Sequence, residues 1–371
     1  ATEALRWYRR AHAFEPESEA LFEAIDGLLV KEERHAERVD LLKAALDYRD
    51  GAPRLELLHT IAELEETKLD RADDAIESYR AALDVDPRDE LALDRLGKLY
   101  ERLERHRDLA ELHERRADQA DLSEQAAPFR LALARLLISK LDDTPGAIDQ
   151  LEAIVGADPR HKGAIAELEK LTELEEHRAR IIEILRPLYE DADAWQKVVE
   201  LNEQRLAGEE DPRERAVILR ETAVLWETRG GDAKKAFEAV RAAFEADPGD
   251  PATREELERL AASAGSFEQV SESIARTAEG VEEAFTKREL LQMLARIEDQ
   301  RLDHPRRALA ALERVVAIDP SDLEPLEAID ELAVLLGEWT KVVDIAHQRA
   351  ASASDAEAAE LLRRAARTRA E

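Results

Sequence analysis

The dipeptide Asp-Pro recurs at nearly constant spacing along the 371-residue chain, and this recurrence constrains the fold more than any other feature. It stands at Asp86-Pro87, Asp158-Pro159, Asp247-Pro248 and Asp319-Pro320, and Glu15-Pro16 is a weaker copy. Successive prolines are 71, 72, 89 and 72 residues apart. Self-similarity at a fixed period is typical of repeat proteins, in which each unit packs only on its neighbours.

Other positions keep the same register relative to each proline. Alanine lies twenty-five residues before the proline at Ala62, Ala134, Ala223 and Ala295, and twelve residues before it at Ala4, Ala75, Ala147, Ala236 and Ala308. A bulky apolar residue lies eight residues before it at Tyr8, Tyr79, Leu151, Val240 and Leu312. Small residues let two helices approach closely, and a large residue fills the groove opposite. Proline then ends one helix and begins the next.

Each period of about 72 residues is predicted to hold two helical hairpins. In the period from Pro87 to Pro159, apolar residues recur at helical spacing over 89–103, 107–119, 124–140 and 145–156, which indicates four helices. The interval of 89 residues exceeds one period by 17, about the length of one helix with its turn. It is therefore predicted to contain an additional helix near 162–173, ahead of a hairpin at roughly 177–206.

These residues resemble tetratricopeptide repeats. The segment 61–87 carries the family pattern best, with a small residue in the first helix (Ala62), a small-large-small run in the second (Ala75, Tyr79 and Ala82) and the closing Pro87. Its turn is one residue longer than the usual pattern, and intervening hairpins such as 89–119 are degenerate. The alternation is similar to long tetratricopeptide arrays of high-GC bacteria.

The resemblance implies an all-α fold, an α-solenoid in which the hairpins form a right-handed superhelix. We expect a single solenoid over residues 1–371, with units near 16–87, 88–159, 160–248 (including the extra helix), 249–320 and a partial unit at 321–371.

Composition narrows the function. The chain has 54 basic and 85 acidic residues and a net charge of −31, which disfavours nucleic acid and anionic lipid as partners. The charge either favours a basic protein or peptide as partner or serves only to keep a long particle in solution. The absence of cysteine excludes disulfides and thiolate metal sites. No apolar run approaches the roughly 18 residues of a membrane span. A cytoplasmic location is expected, with a periplasmic one as the alternative.

No catalytic, cofactor-binding or metal-binding motif is found in the sequence, so we expect no enzymatic activity and no cofactor. Acid pairs such as Glu65-Glu66 are interpreted as solvated helix faces. His35, His106, Phe267 and Trp339 share a position nineteen residues after the proline, and Trp195 heads a similar helix; this indicates packing. We interpret all four tryptophans, Trp7, Trp195, Trp226 and Trp339, as core wedges.

In the family, the first helices of the hairpins line a concave binding face. The resemblance places these binding positions around the alanines that lie twenty-five residues before each proline. It implies the candidate groove residues Glu63, Glu66, Arg135, Arg220, Glu227, Gln292, Arg296 and Asp299. Their charges are mixed in sign and do not by themselves identify a ligand. The leading hypothesis is therefore a non-enzymatic scaffold that binds a protein or peptide on this face.

Two alternatives stay open. Residues 1–14 are predicted to be the second helix of a hairpin and residues 355–369 the first helix of another, so copies could join head-to-tail into a filament or ring. The candidate contacts are Leu5, Trp7, Tyr8, Leu361 and Leu362. The third hypothesis is a regulatory segment of a larger enzyme or signalling protein.

Overall fold

The computed structural model describes residues 2–320, 322, 324–352 and 355–368. This part of the chain forms 21 α-helices and no β-strand, which confirms the predicted all-α solenoid fold. The chain divides into two compact units, Ala1–His177 and Arg178–Glu371.

The helices of the first unit are α1 (Thr2–His12), α2 (Glu19–Lys31), α3 (His35–Ala45), α4 (Gly51–Thr67), α5 (Ala72–Val85), α6 (Glu90–Arg102), α7 (His106–Gln119), α8 (Ser123–Leu136), α9 (Thr144–Ala157) and α10 (Lys162–Leu171). A 3₁₀ turn follows α3 at Leu46–Tyr48, and a π-helical turn extends α8 at Leu137–Leu141. Helix α11 (Glu175–Asp191) begins in the first unit and ends in the second.

The remaining helices belong to the second unit: α12 (Trp195–Gly208), α13 (Pro212–Thr228), α14 (Ala233–Ala246), α15 (Pro251–Ala264), α16 (Phe267–Gly280), α17 (Ala284–Gln300), α18 (Pro305–Ile318), α19 (Glu324–Leu336), α20 (Trp339–Ser352) and α21 (Asp355–Thr368). The interval from Pro159 to Pro248 contains α10 to α14, one helix more than each other complete interval. Helix α10 occupies the segment for which the extra helix was predicted.

Within each unit the helices form two layers. We call α2, α4, α6, α8 and α10, and α13, α15, α17 and α19, the first helices; the second helices are α3, α5, α7 and α9, and α12, α14, α16, α18 and α20. Consecutive helices pack together from α1 to α10 and from α12 to α21. Ion pairs also join neighbours within a layer, as Arg80 of α5 does with Asp108 of α7.

The turn inside each hairpin has one recurring conformation. Every second helix begins two residues after a residue with positive φ, between +53° and +71°: Glu33, Asp70, Glu104, Asp142, Asp193, Gly231, Gly265, Asp303 and Gly337. A left-handed residue ends a helix by turning the next N–H back onto its last carbonyls. The long turn noted in the sequence is this left-handed residue followed by a single linking residue. His35, His106, Trp195, Phe267 and Trp339 are accordingly the first residues of second helices.

The register alanines form the contacts between helices. Ala62, Ala134, Ala223 and Ala295 are at most 4% exposed, and Ala75, Ala147, Ala236 and Ala308 are fully buried. Tyr79, Leu151, Val240 and Leu312 are buried beside them. The two members of this register in α1 differ, because Ala4 is exposed and Tyr8 is 41% exposed.

The interpretation of all four tryptophans as core wedges was wrong for two of them. Trp7 is 60% exposed and Trp339 is 52% exposed. Trp195 and Trp226 are half-buried and meet edge to face, with ring centroids 5.1 Å apart. Trp195, at the start of α12, is thus covered by a ring of the first helix that follows it, α13, whereas Trp339 at the start of α20 is exposed.

Candidate binding face

The first helices are linked by the residues that cap them. The residue two positions after the proline is the N-cap of the next first helix at Ser18, Asp89, His161 and Asp250. The carboxylate of Asp89 accepts the Ala92 N–H in this role. The same carboxylate lies 2.5 Å from Nε2 of His59 on the preceding first helix, α4. Asp89 thus also connects one first helix to the next.

The second unit repeats this arrangement. Asp250 caps α15 and accepts a hydrogen bond from Arg220 of α13 at 2.8 Å, and Asp322, ahead of α19, accepts one from Arg288 of α17 at 3.0 Å. Burial alone would raise the pKa of Asp250, but hydrogen bonds from Thr253 and two backbone N–H groups, with the charge of Arg220, hold it below its usual value. These aspartates were not among the predicted site residues, although their fixed spacing from the proline could have identified them.

Most of the predicted groove residues lie in contacts between neighbouring first helices. Arg135 of α8 donates to Glu167 of α10 at 2.8 Å, and both carboxylate oxygens of Glu227 on α13 accept from Arg259 of α15 at 2.6 Å. The side chain of Glu66 on α4 is mostly buried and lies 3.9 Å from two arginines of α6, Arg95 and Arg102. These charges therefore connect one hairpin to the next.

The carboxylates in these pairs are tuned by their partners. A hydrogen bond from Arg259 lowers the pKa of Glu227 below its usual value, and this effect exceeds the opposing effect of desolvation. Desolvation would raise the pKa of Glu167, yet hydrogen bonds from Lys170 and Arg135 leave it lowered. Both groups are ionised at neutral pH and hold their arginines in place.

An open groove of about 600 Å³ lies along the first helices α15, α17 and α19 of the second unit. Two of the predicted residues, Gln292 and Arg296, line it. Its two arginines are each paired, Arg254 with Glu289 at 2.7 Å and Arg296 with Glu258. The buried side chains of Met293 and Leu312 also line the groove and add apolar surface.

The remaining predicted residues differ in their surroundings. Glu63 of α4 and Asp299 of α17 are exposed. Among the candidate end contacts, Leu5 is 2% exposed and packs with Ile25 and Leu29 of α2, so it belongs to the core of the first unit. Trp7 and Tyr8 are exposed, Leu362 is 41% exposed and Leu361 is half-buried.

Neither a metal-binding cluster nor a membrane-spanning helix is found among the residues that the structure describes. No three His, Asp or Glu side chains there are grouped so as to hold a metal ion. None of the described helices combines the length and the apolar character that a bilayer crossing requires.

Comparison with known proteins gives structural resemblances only: no family model and no curated protein sequence matches the chain. Among the solved structures, the P58(IPK) TPR domain is 12% identical (94% of this chain, 97% of that one, TM-score 0.26). A tetratricopeptide repeat protein from Parabacteroides merdae is 14% identical (85% and 96%, TM-score 0.27). A chain of the Naa15/Naa10 complex bound to HypK-THB is 15% identical (93% and 60%, TM-score 0.31), so this protein spans 60% of that chain. The described residues form an all-α solenoid of helical hairpins.

Proposed function

We propose that this protein is a non-enzymatic scaffold that binds a protein or peptide segment along the first helices of its second unit. The observation that carries this proposal is the groove on α15, α17 and α19, which has buried apolar side chains in its lining and polar groups around them. Binding sites for peptides commonly combine an apolar surface with a few oriented polar groups. Gln292, which is half-buried in the lining, offers both a hydrogen-bond donor and an acceptor to a peptide main chain.

The bound segment is proposed to be basic. Both arginines of the groove are neutralised by glutamates, while Glu255 and Glu324 also line it, so its balance is acidic. The net charge of −31 would attract the same class of partner over longer distances. Association should therefore be faster at low ionic strength and slower when salt screens the charges.

The test is a selection of binders from a random peptide library with the full chain, followed by affinity measurements on variants. Selected peptides should be rich in lysine and arginine, should compete with one another, and should lose affinity when Gln292→Trp fills the groove. The matched control is Glu101→Gln, a change at an exposed position of α6. Peptides that bind the Gln292→Trp variant as well as the unaltered chain would refute the assignment of this groove.

Head-to-tail assembly stays a separate prediction, favoured by the exposed indole of Trp7. Sedimentation over a wide concentration range should show particles that grow with concentration and that Trp7→Glu prevents from growing. A monomer at every concentration would remove this alternative.

A further inference from the structure

Two pockets of the first unit occupy the same place in successive periods, away from the groove of the second unit. The first pocket lies where α2 begins and α3 ends; it has about 620 Å³ and is lined by residues between Pro16 and Pro53. The second pocket lies where α6 begins and α7 ends; it has about 390 Å³ and is lined by residues between Arg88 and Phe129. Most of their lining residues correspond at a shift of 71 positions, so the two pockets can be compared side chain by side chain.

The second pocket is lined by two arginines of this chain, and each of them is paired with an acid. Arg88 grips both carboxylate oxygens of Asp121, at 2.8 and 3.2 Å. Arg116 donates to Glu90 at 2.9 Å and stacks over the ring of Phe129, with its guanidinium carbon 4.2 Å from the ring centroid. Two acids are thus matched by two bases.

The first pocket keeps only one of these two arrangements. Arg49 pairs with Glu19 at 2.6 Å and lies 4.9 Å over the ring of Phe22, which reproduces the roles of Arg116, Glu90 and Phe129. The position of Arg88, however, is held by Glu17. The pocket therefore has the acids Glu17, Glu19, Asp47 and Asp50 around a single arginine.

We propose that the first pocket binds an arginine side chain of a partner protein, in the place that Arg88 takes in the second pocket. Asp50 corresponds to Asp121 at the shift of 71 positions. It therefore supplies the carboxylate to which a guanidinium would donate hydrogen bonds. Glu17 adds a second carboxylate, and the ring of Tyr48, which is 51% exposed, adds an aromatic wall. A planar guanidinium suits this set better than an ammonium, since it binds carboxylates through two parallel hydrogen bonds and stacks on rings.

The experiment is a reciprocal exchange between the two pockets, with a labelled tetra-arginine peptide as the probe and fluorescence anisotropy as the readout on the full chain. Glu17→Arg gives the first pocket the arginine of the second and should lower the affinity about tenfold. Arg88→Glu gives the second pocket the acid of the first and should add a second binding site. The matched control is Glu101→Arg, which changes the net charge as Glu17→Arg does, at an exposed position outside both pockets.

Three outcomes would overturn the proposal. Equal losses with Glu17→Arg and Glu101→Arg would show that the peptide senses only the net charge. An unchanged stoichiometry in Arg88→Glu would show that the exchanged residues do not define the site. Equal affinity for tetra-lysine would remove the preference for guanidinium. Filling the groove of the second unit with Gln292→Trp should leave the effect of Glu17→Arg intact, so this proposal and the proposed function can fail independently.

Discussion

One position of the first helices holds two opposite kinds of side chain in different hairpins. Twenty-two residues before each proline stand Glu65 in α4, Leu137 at the end of α8, Trp226 in α13 and Glu298 in α17. The backbone does the same thing in all four, because the carbonyl of this residue accepts the N–H of the residue that precedes the second helix, at 2.8–3.1 Å. We call this position the turn slot.

The two buried acids in the turn slot differ from the tryptophan in what they need around them. Glu65 is fully buried, accepts from the Ser78 hydroxyl at 2.7 Å and lies 2.6 Å from the ammonium of Lys43. Glu298 is 3% exposed and has the Ser271 hydroxyl and the His304 ring as partners, the latter at 2.9 Å.

Trp226 instead packs on Trp195, and the ammonium of Lys235 lies 4.0 Å from its ring centroid. Buried carboxylates and an indole face are both electron-rich, and each of these three slots has a cation beside it: Lys43 at Glu65, Arg307 at Glu298 and Lys235 at Trp226. The comparison teaches that the fold fixes the backbone of the slot, while its side chain can be ionic or aromatic if the neighbours match.

The largest expected effect comes from emptying an acidic slot. Glu298→Ala should lower the free energy of unfolding by about 2–4 kcal/mol. The substitution leaves a cavity, and it removes the hydrogen-bond acceptor of the Ser271 hydroxyl, which is only 3% exposed. Chemical denaturation measures this. Glu298→Leu combined with Ser271→Ala should cost less than Glu298→Leu alone, since no buried hydroxyl then lacks a partner. A double variant that is less stable than the single one would contradict this account of the slot.

The next largest effect is expected at the buried alanines that lie beside the turn slot. Three residues before the slot lie Ala134 and Ala295, both buried, and replacing either with leucine should cost about 1–3 kcal/mol through overpacking. The two costs should be similar although one slot holds leucine and the other glutamate. Glu101→Gln on an exposed surface should stay within about 0.5 kcal/mol. Small and equal effects for all three variants, in the same denaturation experiment, would contradict the interpretation of the alanine positions as tight helix contacts.

A smaller effect should appear in the aromatic slot. A double-mutant cycle with Trp195→Ala and Trp226→Ala should give a coupling energy of about 0.5–1.5 kcal/mol, the usual value for an edge-to-face pair. The same cycle between Trp226 and the exposed Trp339 provides the control and should give no coupling, because six helices separate α13 from α20 along the chain. Coupling near zero between Trp195 and Trp226 would mean that the burial of apolar surface alone, without an interaction between the rings, accounts for their contribution to stability.

The smallest effect concerns Glu227, which follows the turn slot of α13 by one residue and pairs with Arg259 of α15. Its pKa is lowered in the folded chain, so its contribution to stability is present above its unfolded pKa and is lost as the pH falls through the folded value. Because its pair with Arg259 is partly solvent-exposed, Glu227→Gln should cost less than about 1 kcal/mol at neutral pH. Unfolding measured from pH 7 towards pH 3 should show the two proteins converge. A difference that persists in acid would mean that the effect is not ionic.

The sequence was sufficient for those features that depend on helix spacing. The alanines twenty-five and twelve residues before each proline predicted helix contacts, because only a small side chain fits where two helices approach closely. All of these alanines from Ala62 onward are buried. The turns were less accessible, since an acid such as Glu104 occupies a left-handed position that the sequence pattern would have reserved for glycine.

The candidate face was predictable in outline and not in detail. Family positions led to Gln292 and Arg296, which do line the groove, but they gave no indication that Glu227 and Arg135 would be paired with the next first helix. Such pairs join residues about 32 positions apart, and which partner is reached depends on how one hairpin is set against the next. Similarly, Glu65 was interpreted as part of a solvated face, and this was wrong because Lys43 and Ser78 allow its burial.

The charge pairs between neighbouring first helices have a mechanical consequence. In the second unit, α13 and α15 are joined by Arg220–Asp250 and Glu227–Arg259, whose side chains are partly solvent-exposed, whereas the alanine contacts beneath them are dry. A tensile load along the stack would strain these outer links first, and ionic strength sets their stiffness because salt screens them. Added salt should therefore make each unit easier to stretch along its stack of helices, while the individual hairpins stay folded.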